Sequence, residues 1–354
     1  MIFSIPSILL LIVSHALAFD CCRKPEYIIL NDYKLSLYIE YRENRSCGSL
    51  KKNKSDFMET LKNKKNIAII GLGLLGGSLG LALARTPVNR IGWARRDITR
   101  ATALELDAVD ETLPELEQVL QKADIVVLSL PVPVILEYLP LCAKHCRPGT
   151  IVTDIGSIKE EIVTAADAVF TAPEGPYFIG SHPMAGTEKS GIASAFAELY
   201  NNADVFITCA ANAPEEAMLS LEKMWQSLSC HTSRIDAAKH DQLVAETSHA
   251  LHVVASALSL SILDNADEAE KLARFRGCAT GFKDTSRIAS SSPQMWREIV
   301  EHNRSAVLTA LEEFEKSLNE FKELIRQDDF DGFEEKFTRG KTLRDAWLKY
   351  KGMK

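Results

Sequence analysis

"KKNIAIIGLGLLGGSLGLALART", residues 64–86, joins a short run of β-branched residues to a glycine turn and then to a segment with helical period. Gly71, Gly73 and Gly76 fit the G-x-G-x-x-G pattern of a dinucleotide-binding turn between a strand and a helix. In such a turn the helix N-terminus faces the phosphates with its positive end. The strand-like run before the glycines and the helical segment after them favour this interpretation over a purely structural turn. The predicted cofactor contacts here are Gly71, Gly73, Leu74, Leu75 and Gly76.

The second predicted strand, in "NRIGWARRD", bears on which cofactor is bound. An NAD site places an acidic residue at the end of this strand, about 20 residues beyond the glycines, to hold the ribose 2′-hydroxyl. This chain instead has Ala94 followed by Arg95 and Arg96. Two guanidinium groups suit a 2′-phosphate, so the sequence favours NADP and leaves NAD possible. The alternative is a solvated basic turn without a ligand.

The alternation of strand and helix continues in "ADIVVLSLPV", "GTIVTDIGSIKEEIVTAA" and "GPYFIGSHPM". We expect Ser129 and Pro131 beside the nicotinamide half of the cofactor, Ser157 after the next strand, and His182 at the end of a third strand. Ligands of open α/β sheets gather at the carboxyl ends of the strands. Ser129, Ser157 and His182 are therefore predicted to converge.

Strand signals stop near residue 236, after two further strands that flank a helix near 214–228. "HDQLVAETSHALHVVASALSLSILDNA" then lacks Gly and Pro and is apolar enough to be buried on most sides. Long helices are also predicted across 293–327 and 331–350. We therefore expect an α/β dinucleotide-binding domain over 58–235 and an all-α domain over 236–354 that forms a homodimer interface.

Three histidines on or near the long apolar helix invite a metal interpretation. His240 and His249 would point to nearly opposite sides of an α-helix, so they are not expected to share an ion. No metal is predicted. Ser248 and His252 lie four residues apart and share a face. The alternative for His252 and His249 is a hydrogen-bonded core imidazole.

"GCATGFKDTSRIASSSPQMWREI" places Lys283, Asp284 and Arg287 after a glycine turn and before a helix that Pro293 begins. Such a basic cluster can receive a carboxylate, and Arg287 is able to bind it with two parallel hydrogen bonds. The alternative is an exposed loop in which Asp284 merely pairs with its neighbours.

Composition narrows the class of protein. The chain has 354 residues, 46% of them hydrophobic and 25% charged, with a formal net charge of −7. That charge argues against broad nucleic-acid binding, which needs a basic field. Eight cysteines are scattered without a C-x-x-C pair, and the surroundings of Cys142, Cys209 and Cys278 favour reduced, mostly buried thiols.

The N-terminus does not resemble the start of a cofactor domain. "IPSILLLIVSHALA" is similar to a secretory signal, although no Lys or Arg precedes it. The run is shorter than the roughly 20 residues of a membrane anchor. "METLKNKKNIAIIGLG", beginning at Met58, is typical of the start of a cytosolic domain. We therefore interpret residues 1–57 as a removable leader or an over-extended reading frame, with no stable membrane partner.

Five segments together resemble the prephenate dehydrogenase family of tyrosine biosynthesis, which includes arogenate dehydrogenases. They are "GLGLLGGSL", "TDIGSIK", "SHPMAGTEKSG", "HDQLVAETSHALH" and "GFKDTSRIASSSPQMW", in the family's order and spacing over about residues 64–325. The resemblance implies a Rossmann-type domain, a helical dimerisation domain and NAD(P)-dependent oxidative decarboxylation of prephenate to 4-hydroxyphenylpyruvate. The family's regulatory ACT domain and fused chorismate mutase are not expected, nor is feedback through an ACT domain.

The resemblance also implies roles for individual residues. His182 would act as the general base towards the 4-hydroxyl, because a neutral imidazole accepts a proton near pH 7. Ser157 would hydrogen-bond His182 or that hydroxyl. Arg287 would hold a substrate carboxylate, and Trp296 would close the pocket. The full predicted substrate set is Thr187, Glu188, Ser248, His252, Lys283, Asp284 and Arg287.

Other functions remain open at this point. Arogenate differs from prephenate only in an amino acid side chain in place of the pyruvyl group. A β-hydroxyacid dehydrogenase shares the glycine turn and the helical half, but it usually relies on a catalytic lysine instead of the His182 loop. A nonenzymatic dinucleotide sensor would need no base beside the nicotinamide. A cytosolic substrate and NADP favour a cytoplasmic enzyme.

Overall fold

A computed structural model describes residues 65–187, 189–208 and 212–352. Its first sheet has six parallel strands in the order β3-β2-β1-β4-β5-β6. The strands are β1 (Asn66–Ile70), β2 (Asn89–Trp93), β3 (Glu111–Thr112), β4 (Ile125–Leu128), β5 (Ile151–Asp154) and β6 (Tyr177–Phe178). The helices between them are α1 (Leu74–Leu83), α2 (Asp97–Glu105), α3 (Leu116–Lys122), α4 (Val132–His145) and α5 (Glu160–Val169). This arrangement is the predicted Rossmann-type sheet.

Strand β1 shows why these residues form a central strand. Its side chains alternate between two hydrophobic clusters, with Ile67 and Ile69 in one and Ala68 and Ile70 in the other. Successive strand residues face opposite sides of a sheet, and a parallel sheet is covered by helices on both faces. The continuous apolar run is therefore buried on both sides, and it holds the glycine turn that follows at the carboxyl edge.

A second, smaller sheet contains β7 (Gly180–Pro183), β8 (Asp204–Thr208) and β9 (His231–Ile235), and α6 (Glu215–Gln226) connects β8 to β9. Strands β7 and β8 are antiparallel, whereas β8 and β9 are parallel. Short 3₁₀ turns at Ile192–Ser194 and Ala197–Tyr200 precede β8.

The prediction of one strand ending at His182 was wrong. "GPYFIGSHPM" divides into β6 and β7, which belong to different sheets, and His182 lies inside β7 with Pro183 after it. Gly180 permits the division because a Cβ there would lie 2.4 Å from Oγ1 of Thr208 on β8. The close approach of β8 sets this geometry, and the local sequence carries no signal of it.

The helical part begins at residue 237. Its elements are α7 (Ala237–Val244), a π-helical turn (Ala245–His249), α8 (Ala250–Leu263), α9 (Glu268–Gly277), α10 (Thr280–Ser286), a 3₁₀ turn (Arg287–Ser290), α11 (Pro293–His302), α12 (Arg304–Arg326) and α13 (Phe330–Tyr350). The segment that bears Lys283, Asp284 and Arg287, for which an exposed loop was the alternative interpretation, is therefore mostly helical. The long helices predicted across 293–327 and 331–350 are present, the first of them divided at Asn303.

The π-helical turn corrects the predicted geometry of His240 and His249. A π turn holds one more residue than an α turn and shifts the phase of everything beyond it by about 100°. Both rings are buried, and His240 lies close enough to lower the pKa of His249. Among the residues that the structure describes, no group of three or more His, Cys, Asp or Glu side chains is arranged to hold a metal ion.

The long apolar helix is far less buried within one chain than its sequence predicts. The hydrophobic cluster of the helical part contains four buried residues, Ala245, Ala250, Val307 and Ala310. Leu251 on α8 is 47% exposed, and Leu260 is 61% exposed.

Several predictions concern residues outside the described ranges. These are the leader over residues 1–57, the substrate contact of Glu188 and the buried thiol of Cys209. Of the cysteines within those ranges, Cys142, Cys146 and Cys230 are free and buried, while Cys278 is free and partly exposed.

Candidate active site

The glycine turn after β1 is shaped by close backbone approaches. Gly71 has a φ of +99°, and a Cβ there would lie 2.1 Å from the carbonyl oxygen of Ser129. A Cβ on Gly76 would lie 1.9 Å from the carbonyl oxygen of Gly71 and 3.0 Å from Oγ of Ser129. Both positions therefore require glycine, and the turn meets Ser129 at the end of β4.

Gly73 differs from its neighbours because a Cβ added there would meet nothing within 4 Å. It is the N-cap of α1, and no side chain caps that helix. Leu74 is buried and Leu75 half-buried in the first turn, while Pro131 caps α4 at the end of β4. The open space lies where strand order reverses between β1 and β4, the position at which such sheets bind dinucleotides. The turn fits a pyrophosphate held by backbone N–H groups.

The basic turn after β2 is held by a third arginine, Arg100 on α2, which was not among the predicted site residues. Arg95 and Arg96 are exposed, whereas Ala94 is buried. Arg100 folds back from α2, with its guanidinium donating to the carbonyl oxygen of Ala94 and to Asp97. Its side chain is only 14% exposed. Arg100 therefore fixes the turn, and Arg95 and Arg96 remain available to a ligand.

His182 lies in β7, opposite Phe206 of β8, and is 9% exposed. Its Nδ1 atom lies 2.9 Å from Nε2 of His240. Burial lowers the pKa of His182 well below its usual value, and His240 and Lys159 lower the pKa further. The imidazole is therefore neutral at pH 7.

Ser157 is half-buried in the turn between β5 and α5. Within the described ranges no hydrogen bond joins it to His182, whose ring partner is His240. The neighbouring Ser181 instead holds β7 in place, because its hydroxyl bonds Thr153 at 2.8 Å and accepts from the Trp225 indole at 3.2 Å. The predicted convergence of Ser157 and His182 thus lacks a direct contact.

A buried ion pair lies under this region. Asp154 at the end of β5 and Lys159 before α5 are both 0% exposed, and the Lys159 ammonium donates to Asp154. The Asp154 carboxylate also accepts the backbone N–H of Gly156 at 2.8 Å and that of Ser181 at 3.3 Å. This pair ties β5, α5 and β7 together. Both residues fall within the quoted "TDIGSIK", but no pattern in the sequence shows that they are buried.

Asp241 connects the two parts of the chain. Its Oδ1 accepts the backbone N–H of Lys159 at 2.7 Å, and Oδ2 accepts that of Glu160 at 2.9 Å, so it caps the start of α5. Its carbonyl oxygen accepts from Nδ2 of Asn303 at 2.8 Å. Neither His240 nor Asp241 was predicted as a site residue. The adjacent pair "HD" at the start of a helix is the only signal that the sequence offers.

The second group of predicted residues gathers around Trp296. The His252 ring stacks on the indole with centroids 3.7 Å apart, and the His249 ring lies edge-on at 5.8 Å. Nδ1 of His252 donates to the carbonyl oxygen of Ser248 at 3.0 Å. Burial lowers the pKa of His252, and the charge of Arg287 lowers it further, which places Arg287 near this ring. The indole Nε1 is buried without a hydrogen-bond partner.

The remaining predicted substrate residues are on the surface. Thr187, Lys283, Asp284 and Arg287 are exposed. The Thr187 hydroxyl accepts the backbone N–H of Lys189 at 3.1 Å. Across the described ranges no ion pair forms between Asp284 and its basic neighbours, which leaves Lys283 and Arg287 open to an anionic ligand. His249, which borders Trp296, accepts from Nδ2 of Asn303 at 3.1 Å, and Asn303 also donates to the carbonyl oxygen of Asp241.

Comparison with known families agrees with this division of the chain. Residues 79–233 match the model of the prephenate dehydrogenase nucleotide-binding domain. Residues 236–339 match the model of the prephenate dehydrogenase dimerization domain. The two matches together span most of the region that the structure describes.

Individual relatives give the same result. The chain is 32% identical to a prephenate dehydrogenase of Bacillus subtilis over 293 residues, which is 82% of this chain and 78% of the relative. A structure of A. aeolicus prephenate dehydrogenase with hydroxyphenyl propionate and NAD+ superposes with a TM-score of 0.74 at 30% identity, covering 80% of this chain and 98% of that one. Arogenate dehydrogenase of Synechocystis gives a TM-score of 0.70 at 30% identity, covering 80% and 99%. The chain therefore belongs to the prephenate dehydrogenase family.

Proposed function

We propose that this chain catalyses the oxidative decarboxylation of prephenate to 4-hydroxyphenylpyruvate, with hydride transfer to NAD(P). The observation that carries the proposal is His182, a buried imidazole kept neutral by its surroundings, which lies in a chain of the prephenate dehydrogenase family. A neutral imidazole is the appropriate acceptor for a hydroxyl proton near pH 7.

The cofactor would bind across the carboxyl ends of β1 and β4. Backbone N–H groups at Gly73, Leu74 and Leu75 would hold the pyrophosphate, and Ser129 and Pro131 would lie at the nicotinamide half. Bound NAD(P) supplies the acceptor for the hydride that leaves C4 of the substrate. The A. aeolicus relative was solved with NAD+, which supports a pyridine nucleotide here.

His182 would first accept a proton from the substrate and later return it to the product. It takes the proton of the 4-hydroxyl as the C4 oxygen becomes a carbonyl, which prevents positive charge from accumulating on the ring. When the ring carboxylate leaves as CO2, the electron pair reaches that oxygen, and the proton returns from His182 to the phenol. No net proton is consumed, so one imidazole serves both steps.

The Trp296 cluster would hold the other end of the substrate. Arg287 is exposed, bears a fixed positive charge and makes no ion pair with its neighbours among the described residues. It can therefore receive the side-chain carboxylate with two hydrogen bonds. The unpartnered Nε1 of Trp296 offers a further donor, and His252 stacks against the indole to fix its plane. We place Ser248, Lys283 and Asp284 around this pocket, with Thr187 and Ser157 nearer the ring hydroxyl.

We favour NADP as the cofactor, with NAD as the alternative. Support comes from Arg95 and Arg96, which are exposed at the end of β2 while Arg100 is engaged in fixing the turn. Arogenate remains the second candidate substrate, because the structurally similar Synechocystis protein is an arogenate dehydrogenase.

A second copy of the chain would cover the exposed apolar helices. The helical segment 237–263 is long and apolar enough to cross a membrane, judged by length and composition alone. Core helices of soluble proteins share this property. Here the segment lies within the match to a dimerization domain. We propose a cytoplasmic homodimer formed through this domain. Light scattering on the purified chain should give twice the monomer mass.

The test is an absorbance assay at about 340 nm, the band of reduced nicotinamide, on the full chain and on a chain that begins at Met58. Prephenate and arogenate are each paired with NAD+ and NADP+, and the product is identified by mass spectrometry. Production of 4-hydroxyphenylpyruvate with prephenate is expected, at a higher rate with NADP+. Exclusive turnover of arogenate would replace the substrate, and no turnover in all four combinations would refute the proposed activity.

A further inference from the structure

His182, His240 and Asp241 form a line of three side chains that continues away from the proposed reaction. Nδ1 of His182 lies 2.9 Å from Nε2 of His240, and Nδ1 of His240 lies 2.7 Å from Oδ1 of Asp241. His240 is 0% exposed and Asp241 is 3% exposed, so water does not compete for these contacts. The phenyl ring of Phe206 lies edge-on to the His240 ring at 5.7 Å and closes its side.

The direction of these hydrogen bonds follows from the Asp241 end. Both carboxylate oxygens accept backbone N–H groups at the start of α5, where the helix dipole favours negative charge. An ionised carboxylate is an acceptor only. Nδ1 of His240 must therefore carry a hydrogen and donate it to Asp241.

The protonation state of His240 then determines which ring nitrogen of His182 carries the hydrogen. Burial lowers the pKa of His240, so its ring is neutral at pH 7 and carries only one ring hydrogen. That hydrogen is on Nδ1, which leaves a lone pair on Nε2. This lone pair can only accept, and the partner that donates to it is Nδ1–H of His182. The remaining lone pair of His182 is consequently on Nε2.

We propose that His240 and Asp241 are positioning residues that hold His182 in its Nδ1–H tautomer, which leaves Nε2 free to accept the substrate proton. The inference rests on the proposed role of His182 as the base. His240 touches neither substrate nor cofactor in this account. When His182 gains the proton, its Nδ1–H still donates to His240, and the Asp241 carboxylate beyond stabilises the positive charge.

Neighbouring groups hold the three side chains in position. Asn303 donates to the carbonyl oxygen of Asp241 at 2.8 Å and to Nδ1 of His249 at 3.1 Å, so it fixes the helical segment that bears both rings. Lys159 supplies a backbone N–H to Asp241, while its side chain is occupied by Asp154. The line therefore depends on β7, α5 and α7 at once, which gives the tautomer a rigid support.

The primary experiment is a long-range ¹H–¹⁵N correlation spectrum of the full chain with ¹⁵N-labelled histidine at about pH 7.5, assigned with His182→Asn. Nδ1 of His182 should show the protonated, pyrrole-type shift and Nε2 the unprotonated, pyridine-type shift. A wild-type spectrum with the hydrogen on Nε2 of His182 would overturn the inference without any variant being made.

Two substitutions of His240 separate positioning from structure. His240→Phe keeps an aromatic ring and removes the acceptor, so the Nε2–H tautomer of His182 should become populated and kcat should fall by about 10-fold or more. KM for prephenate should stay within about 2-fold, because no substrate contact is lost. His240→Gln offers an amide oxygen to Nδ1–H and should restore the tautomer and a large part of kcat.

The outcomes distinguish this inference from the proposed function. If His182→Asn loses turnover while His240→Phe keeps both the tautomer and kcat, the line is structural and the inference is wrong. If His182→Asn retains full turnover, the role of His182 as the base is wrong, and the spectrum still reports its tautomer. Should His240→Phe fail to fold, the wild-type and His240→Gln spectra decide the matter.

Discussion

The Nδ1 atom of His182 on β7 lies 2.9 Å from the Nε2 atom of His240 on α7, and the two residues are 58 positions apart in the chain. This contact joins the α/β part to the helical part at the candidate base. It makes the protonation of the base depend on a helix that the family match assigns to the dimerization domain.

The glycine turn gives opposite predictions for two neighbouring glycines. Gly76→Ala should lower the free energy of unfolding by about 3 kcal/mol or more, because its Cβ would lie 1.9 Å from a backbone oxygen. Gly73→Ala should fold normally, since its Cβ meets nothing within 4 Å. It should nevertheless weaken cofactor binding by about 10-fold, because the methyl group takes the space of the pyrophosphate. Urea unfolding and quenching of tryptophan fluorescence by the cofactor measure the two effects, and equal binding by Gly73→Ala would contradict the account.

The basic turn predicts the cofactor preference. Arg95→Ala combined with Arg96→Ala should raise KM for NADP+ by about 10-fold or more and leave KM for NAD+ within about 2-fold, because only the 2′-phosphate is lost as a partner. Arg85→Ala is the matched control, since Arg85 is exposed and paired with Glu198. Equal effects on the two cofactors would remove these arginines from cofactor selection.

Arg287 is predicted to bind substrate. Arg287→Ala should raise KM for prephenate by about 10- to 100-fold, the scale of a lost hydrogen-bonded charge partner, with kcat within about 3-fold. Arg297→Ala is the control, because Arg297 is an exposed arginine on α11 that pairs with Glu301. A normal KM with a collapsed kcat would instead assign Arg287 to the chemical step.

The lowered pKa of His249 predicts that the folded protein loses stability in acid. Burial lowers its pKa from 6.5 to about 4, so the unfolded chain binds a proton in this window that the folded chain does not. The free energy of unfolding should therefore fall as pH drops from about 6.5 to about 4, by about 3 kcal/mol from this residue alone. His249→Gln should show a shallower slope in urea titrations at several pH values. The exposed His231→Gln should keep the wild-type slope, and an unchanged slope in His249→Gln would contradict the assignment.

Local patterns in the sequence were sufficient for much of the fold. The alternation of apolar runs, the glycine turn and the breaks before helices predict β1, β2, β4, β5 and the long helices after residue 236, because these features follow from strand and helix periods. The division between β6 and β7 was not predictable in this way. It depends on the packing of Gly180 against Thr208, which are brought together only by the folded chain.

The candidate site was predictable to the same degree. His252, Arg287 and Trp296, all predicted at the substrate pocket, gather in one cluster, whereas the close approach of Gly71 to Ser129 was found only in the structure. The π-helical turn at Ala245–His249 was missed because the helix was given a uniform period, which gave the wrong relative direction for His240 and His249. His240 and Asp241 were missed for a related reason. Their function lies in contacts with β7 and α5, which no local spacing reveals.

The most direct test of the central claim is the turnover of prephenate by His182→Asn, measured as reduced cofactor formed, beside the exposed-histidine control His231→Asn. Asparagine can still donate or accept a hydrogen bond, but it cannot take up a proton near pH 7. The account predicts a fall in kcat of about 100-fold or more with prephenate binding retained, while His231→Asn behaves as the wild type. Wild-type turnover by His182→Asn would contradict it.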